Sequence, residues 1–430
     1  MQFEKIAQAL KKKEGEQVRI RGWIHRKRSS GKIIFAVVRD SSGLMQIIVE
    51  KNKVDEEEFK AAKKALIESS LEVEGIIHED ERAPGGRELH VTSIRIVGFA
   101  EDFPITENQS VEFLLDNRHL WLRSQRLTNI MKLKAQTLRA IRAWFDANDF
   151  YEVTPSVITM NAAEGGATVF SFDYFGQEAY LSQTAQMYLE AFMPSLERVW
   201  SLTPSFRAEK SRTRKHLIEY SHLEAEEAWL HNEENMQVQE ELVSHVCQHV
   251  AHECSEQLEA LGRNPDDLRM IEPPFKRITY RKALELLQQK GFDLAWGDDF
   301  GTPHERALME EEEKPVFITK FPAESKAFYM KLSPDDPRTV ECSDMLAPEG
   351  YGEIIGGSER EEDINSMIER LKKDGANVKN YEWYFDLRRY GSVPHSGFGL
   401  GIERLVCWLG KIDHIRDATP FPRLLRRAYP

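Results

Sequence analysis

Five short segments rich in β-branched and aromatic residues run between residues 18 and 97: "VRIRGWI", "KIIFAVVRD", "LMQIIVE", "LEVEGII" and "LHVTSIRIV". Turn signals at Ser29-Ser30-Gly31, Ser41-Ser42-Gly43 and Pro84-Gly85-Gly86 punctuate them, and one helical stretch, "DEEEFKAAKKALIESS", falls between the third and the fourth. Five strands with a helix in that place, in so short a length, predict a small OB-type barrel. Such barrels often hold single-stranded nucleic acid on one face. An SH3-like or other small barrel without a ligand is the alternative. Charge bears on the choice. The whole chain carries a formal −13, yet residues 1–50 hold 11 Lys or Arg against 5 Asp or Glu, a local excess of 6 positive charges (11 − 5). That segment can meet phosphate while the remainder stays acidic.

The rest of the chain has a different rhythm. "NIMKLKAQTLRAIRAWFDAND" places apolar residues at 130, 133, 138, 141 and 145, the stripe of a helix. "YEVTPSVIT" is extended and broken by Pro155, and strands and helices then alternate irregularly until "GFGLGIERLVCWLG" closes a turn, a strand and a helix. The expectation is an α+β domain with antiparallel strands, giving a barrel over 1–100, a hinge over 101–126 and a large domain over 127–430. Neither G-x-G-x-x-G nor G-x-x-x-x-G-K-[ST] occurs, which argues against Rossmann and P-loop folds. No apolar run is long enough for a membrane span, the opening residues lack a charged stretch followed by an apolar one, which argues against a secretory signal, and the four cysteines (Cys247, Cys254, Cys342, Cys407) lack C-x-x-C spacing. A reducing cytoplasm is the expected setting.

The chemistry concentrates in "SFRAEKSRTRKHLIEYSHLEAE", residues 205–226, where Arg207, Lys210, Arg212, Arg214 and Lys215 precede a run of carboxylates. A solvated loop has a similar composition. Arg404, one turn into the apolar helix of "GFGLGIERL", is less ordinary, because a guanidinium among Leu400, Ile402, Leu405 and Trp408 needs an anion or a ring beside it. Two separated arginines with Asp344 and Glu353, carboxylates suited to Mg²⁺, form a nucleotide-handling set.

In that order, "YEVTPSVIT", "SFRAEKSRTRKHLIEYSHLEAE" and "GFGLGIERL" resemble motifs 1, 2 and 3 of the class II aminoacyl-tRNA synthetases, and the barrel before them resembles the aspartyl/asparaginyl/lysyl subgroup. The resemblance runs nearly end to end. It implies an antiparallel catalytic sheet flanked by helices, a homodimer through motif 1, and Mg²⁺ with ATP. By the same resemblance Arg207 holds the ATP α-phosphate and Glu209 the adenine or its water shell. Tyr220, where phenylalanine is usual, stacks on one adenine face and Arg404 covers the other. Arg214 and His216 reach the γ-phosphate and the tRNA acceptor end. Asp344 and Glu353 match the metal ligands, though Gly356 stands where some relatives place a serine ligand.

The resemblance also points to the amino acid. Glu164 in "AEGGA" matches the residue that binds the substrate's α-ammonium, and Gln186 in "SQTAQMYLE" matches the glutamine of the aspartyl S-P-Q-x-x-K segment, whose lysine position is Leu189 here. Arg360 stands where the family arginine meets the substrate side chain, and Glu224 where aspartyl enzymes carry an aspartate. A carboxamide accepts from Arg360 and donates to Glu224, whereas an aspartate carboxylate faces Glu224 as a like charge. L-asparagine and its cognate tRNA are therefore the expected substrates. The alternatives are an aspartyl enzyme, a relative making asparagine (a group that lacks the barrel) and a non-catalytic RNA-binding relative. In the barrel, Phe35 and Gln46 match positions that stack on and hydrogen-bond the central anticodon uridine, with Arg21, Arg26, Lys27 and Arg28 expected on the phosphates.

Overall fold

The barrel closes because each strand puts every second side chain inward. In a computed structural model that describes residues 2–163, 168–210 and 213–430, the strands β1 (Gln17–Ser30), β2 (Ile33–Arg39), β3 (Leu44–Glu50), β4 (Ser70–Glu79) and β5 (Arg87–Gly98) form a closed barrel in the order β1-β2-β3-β5-β4. Burial alternates residue by residue in β2 and β3, and the inward set (Ile20, Ile34, Met45, Ile47, Val73, Leu89) forms one apolar core. The helix Glu56–Lys64 connects β3 to β4, with Asp55 capping its start by accepting from the Glu57 N–H at 2.8 Å. β5 pairs in parallel with β3.

The chain divides into two units, Met1–Leu114 and Leu115–Pro430. Residues 101–126, read from sequence as a hinge, contain the helices Val111–Asp116 and Arg118–Trp121. Burial explains the second of these. Arg118 is 1% exposed and donates to the carbonyls of Arg416, Thr419 and Pro420, so the segment is tied to the chain's last turns.

The second unit is built on an eight-stranded sheet. Its members are β6 (Tyr151–Glu152), β10 (Arg198–Phe206), β11 (Glu219–Ala228), β12 (Lys276–Thr279), β13 (Val316–Thr319), β14 (Cys342–Ala347), β15 (Gly352–Glu359) and β16 (His395–Gly401), in the order β12-β13-β14-β15-β16-β11-β10-β6. β7 (Ile158–Thr159), β8 (Phe170–Tyr174) and β9 (Gln177–Leu181) make a separate three-stranded sheet. The inner strands pair antiparallel as expected; only the two outermost pairs, β12 with β13 and β10 with β6, run parallel. One face of the large sheet packs on the helices Gln125–Ala147, Asn232–Glu253 and Ile402–Leu409, which meet around Leu133, Phe145, Val243, Phe398 and the fully buried Trp408. The predicted helical stripe lies within Gln125–Ala147, whose first turn is capped by Ser124. Among the described residues no helix is long and apolar enough to cross a membrane, and all four cysteines are buried and free.

Candidate active site

The other face of the large sheet has a floor without side chains. Along β16, Phe398 and Leu400 point into the core, so the alternating Gly397, Gly399 and Gly401 face outward. Asp344 on β14, Gly356 on β15, Gly399 on β16 and Glu224 on β11 lie in one row across four strands. Two carboxylates thus stand about 14 Å apart, three strand spacings, with bare backbone between them. A Cβ at Gly399 would come within 2.5 Å of His222, and one at Gly397 would collide with the Glu226 carboxylate. The glycines are required by close approach, and they leave room for a flat ligand.

Two clefts open on this floor. The first, of about 620 Å³, is lined by Arg207, Glu209, Lys215, His216, Tyr220, Glu353 and Arg404. Arg207 directly follows β10, and Tyr220 is the second residue of β11, with its ring 5.9 Å from the Arg207 guanidinium. Arg404 donates to the Glu353 carbonyl at 3.0 Å and lies 3.4 Å from its carboxylate. The neighbouring Glu403 is buried, accepting from Lys134 at 2.6 Å and from the Ser221 N–H and hydroxyl, which fixes the Arg404 helix against β11. Burial together with Arg404 and Arg207 pushes the His216 imidazole below its ordinary value. Arg214 is exposed and does not line this cleft; its carbonyl accepts from the Ile415 N–H at 3.0 Å.

Asp344 and Glu353 converge. A Cβ at Gly356 would lie 3.4 Å from one Glu353 oxygen and 3.6 Å from one Asp344 oxygen. Lys326, missed in the sequence because it sits in the patternless "AESKAF", donates to Asp344 at 2.6 Å. Burial raises the Asp344 carboxyl to about 6 against the pull of Lys326, with Glu353 adding to the rise. Enclosure also pushes Glu353 up, but Arg404, Lys326 and Arg207 bring it below its ordinary value. Among the described residues no group of three or more His, Cys, Asp or Glu is placed to hold a metal. Two converging carboxylates suit a divalent cation whose remaining ligands are phosphate oxygens and water, so the pair fits Mg²⁺.

The second cleft, of about 1450 Å³, shares Arg207, His222, Glu353 and Gly399 with the first and adds Gln186, Glu224, Glu226, Lys326 and Arg360. Glu224 accepts from the Ala185 N–H at 2.7 Å and from the Thr184 hydroxyl. Arg360 does not pair with Glu224. Its Nε and Nη2 donate to Glu226, and its Nη1 donates to Ser358 at 2.7 Å. Glu226 is a residue the sequence reading missed, although the period of two in "HLEAE" puts it on the same face as Glu224. Gln186 lines the cleft but spends one N–H on Glu190 at 3.0 Å. Leu189, at the aspartyl lysine position, packs with Ala185, Met193 and Val199 rather than lining the cleft. Glu164 lies outside the described residues.

On the barrel, Arg26 and Arg28 (β1), Phe35 (β2) and Gln46 (β3) share one outer face, because Arg26 and Gln46 both pair with Val37 while Arg28 pairs with Phe35. The Arg28 guanidinium sits 4.7 Å over the Phe35 ring. Gln46 donates to Glu88 at 2.7 Å, an orienting partner absent from the sequence reading, and this turns the amide oxygen away from the carboxylate. Arg21 is exposed near the Phe3 ring. Lys27 departs from expectation. Its ammonium donates to the carbonyls of Lys63 and Ala65, capping the C-terminus of the helix Glu56–Lys64.

Residues 110–425 match the family described as tRNA synthetases class II (D, K and N), and residues 18–97 match the OB-fold nucleic acid binding domain. The chain is 51% identical over 420 residues to an asparagine–tRNA ligase of Pyrococcus abyssi, with 97% of each covered. It is similar to the solved asparaginyl-tRNA synthetase from Pyrococcus horikoshii complexed with asparaginyl-adenylate, at TM-score 0.94 and 52% identity over 97% of both chains. The Entamoeba histolytica asparaginyl-tRNA synthetase in complex with asparaginyl-adenylate is similar at TM-score 0.87 and 34% identity, over 98% of both chains.

Proposed function

The chain belongs to the class II tRNA synthetases of the D, K and N group, and on that premise we propose that it joins L-asparagine to its cognate tRNA at the expense of ATP. The reaction passes through asparaginyl-adenylate and releases AMP and pyrophosphate. The Arg404 cleft takes ATP: Tyr220 and Arg404 enclose the adenine, Glu209 meets its edge, and His216 and Arg214 address the far phosphates and the tRNA end. Arg207, lining both clefts, holds the α-phosphate at the point where the amino-acid carboxylate attacks. No protein nucleophile is needed, because orientation and fixed positive charge stabilise the transition state. Mg²⁺ held by Asp344 and Glu353 supplies further charge neutralisation on the phosphates when bound.

The observation that carries the choice of amino acid is the state of Arg360. It is 4% exposed and already engaged by Glu226, while Glu224 stands in the same cleft. Three of its five N–H groups are used, so it can still donate to a carboxamide oxygen, but its own charge already faces the Glu226 carboxylate. Glu224 accepts from the carboxamide NH₂. Aspartate in this place leaves a buried charge badly paired, at a cost of about 3–5 kcal/mol, or roughly 10²- to 10³-fold or more in selectivity. Glu164 receives the α-ammonium and Gln186 borders the side chain.

The barrel, residues 1–100, takes the anticodon. Phe35 stacks on a base, Gln46 reads its edge, and Arg26 and Arg28 hold phosphates; residues 101–126 connect the barrel to the catalytic residues 127–430, their part from Leu115 onward belonging to the second unit. The enzyme works in the cytoplasm as a homodimer through motif 1. Amino-acid-dependent pyrophosphate exchange across all twenty amino acids tests the reading. Asparagine should give the fastest exchange, and faster exchange with aspartate or lysine overturns it. Glu224→Gln should narrow the preference for asparagine over aspartate, and unchanged selectivity removes Glu224 from the pocket.

A further inference from the structure

Behind the Arg360 cleft lies a buried knot of charge to which the expected roles assign nothing. Glu190, on the helix Gln186–Leu196, meets Tyr384 and Arg388 of the helix Glu382–Arg389 and His395 at the start of β16. The Glu190 side chain is 0% exposed, Arg388 2% and His395 4%. One Glu190 oxygen accepts from Arg388 at 2.7 Å and lies 3.1 Å from His395 Nε2. The other accepts from Gln186 at 3.0 Å, and the Tyr384 hydroxyl reaches both, at 2.7 and 2.8 Å. Burial alone pushes the Glu190 carboxyl up, but Arg388 and His395 hold it well below its ordinary value, so it is ionised at neutral pH.

A buried ion cluster of this kind is expensive, and apolar residues of similar volume would serve stability as well or better. What this one does is visible in its outer contacts. The Arg360 N–H donates to the His395 carbonyl at 2.9 Å. Arg388 Nε donates to the Glu361 carbonyl at 3.0 Å. The backbone on both sides of Arg360 is thus held by two residues whose side chains meet at Glu190. Gln186, the third group bonded to Glu190, lines the substrate cleft directly. Glu190 itself is behind the cleft wall, on the side of a second cavity that it shares with Arg388 and His395.

We propose that Glu190 is a positioning residue for amino-acid recognition: it sets Arg360 and Gln186 toward the substrate side chain, and its charge adds to the barrier against a substrate carboxylate. This rests on the assignment of the Arg360 cleft to asparagine. Without the carboxylate, Arg388 and His395 lose their common partner and the Arg360 segment loosens. A displacement of about 1 Å at a recognition group is worth on the order of 100-fold.

The test is steady-state pyrophosphate exchange by full-length Glu190→Gln, Glu190→Asp and Tyr384→Phe, with KM measured separately for asparagine and ATP. Glu190→Gln should raise the asparagine KM about 10- to 100-fold, leave the ATP KM within about twofold, and narrow the asparagine/aspartate ratio. Glu190→Asp, which keeps the charge, should recover part of that loss. Tyr384→Phe removes one hydroxyl donor and keeps the ion cluster, so it should shift the asparagine KM in the same direction by less, and it remains informative if Glu190→Gln does not fold. A lowered melting temperature with both KM values unchanged, or an equal rise in both, overturns the proposal. Wild-type protein that does not exchange with asparagine overturns instead the assignment of the cleft, so the two failures are distinct.

Discussion

The two clefts meet on one glycine floor yet are built on opposite principles. Around the first, the charged side chains keep contact with water: Arg404 is 29% exposed, Glu209 31% and His216 38%. Around the second, Arg360 is 4% exposed and Glu226 1%. A nucleotide brings its own high charge, and half-solvated cations can meet it without each needing a protein counterion. Discriminating a carboxamide from a carboxylate needs charges withdrawn from water, where a like-charge contact is costly. Rate chemistry can sit on the open side; selectivity has to sit on the dry side.

Substitutions that separate stability from rate test this contrast. The largest effect is expected from Glu226→Ala, which leaves the Arg360 guanidinium buried without its carboxylate. Urea unfolding should report a loss of about 3–5 kcal/mol, and a loss under 1 kcal/mol would mean that water reaches the pair. Arg207→Ala should do the reverse, slowing asparagine-dependent pyrophosphate exchange about 10²- to 10³-fold while the melting temperature stays close to wild type. Parallel losses of rate and stability in both variants would erase the distinction between the clefts.

A smaller effect follows from pH. The folded-state pKa of Glu190 lies well below its ordinary 4.5 because Arg388 and His395 outweigh burial. Its contribution to stability is therefore full above about pH 4.5 and disappears as pH falls through the lower folded value. The melting temperature of wild-type protein should drop more steeply below that pH than that of Glu190→Gln. Equal slopes would place the acid-sensitive carboxylate elsewhere.

The same contrast explains what could be read before the fold was known. Arg207 and Tyr220 sit in one strand–loop–strand string and Arg404 in a strand–helix string, so short continuous motifs already mark them. The barrel was legible for a similar reason, since alternation and turn residues are local signals. Glu226 was half visible, two residues past Glu224 on a strand. Lys326, Arg388 and His395 come from segments separated by loops and helices, and only the sheet order brings them near Asp344 or Glu190. Lys27 looked like one more cation in "HRKR", but its neighbours in sequence do not reveal that a helix end lies against it. Position along the chain says nothing about which of these neighbouring charges faces a carbonyl.

On the proposed function, the four residues common to both clefts, Arg207, His222, Glu353 and Gly399, mark the place where the two substrates are joined. ATP and the amino acid each hold on from one side and can leave alone. Once joined, the adenylate is a single molecule anchored at both ends, and release of one end leaves the other to restore it at high effective concentration. Pyrophosphate, no longer bonded to the adenylate after cleavage, can depart alone. On that reading the activated amino acid is retained by its two anchored ends until the tRNA terminus arrives.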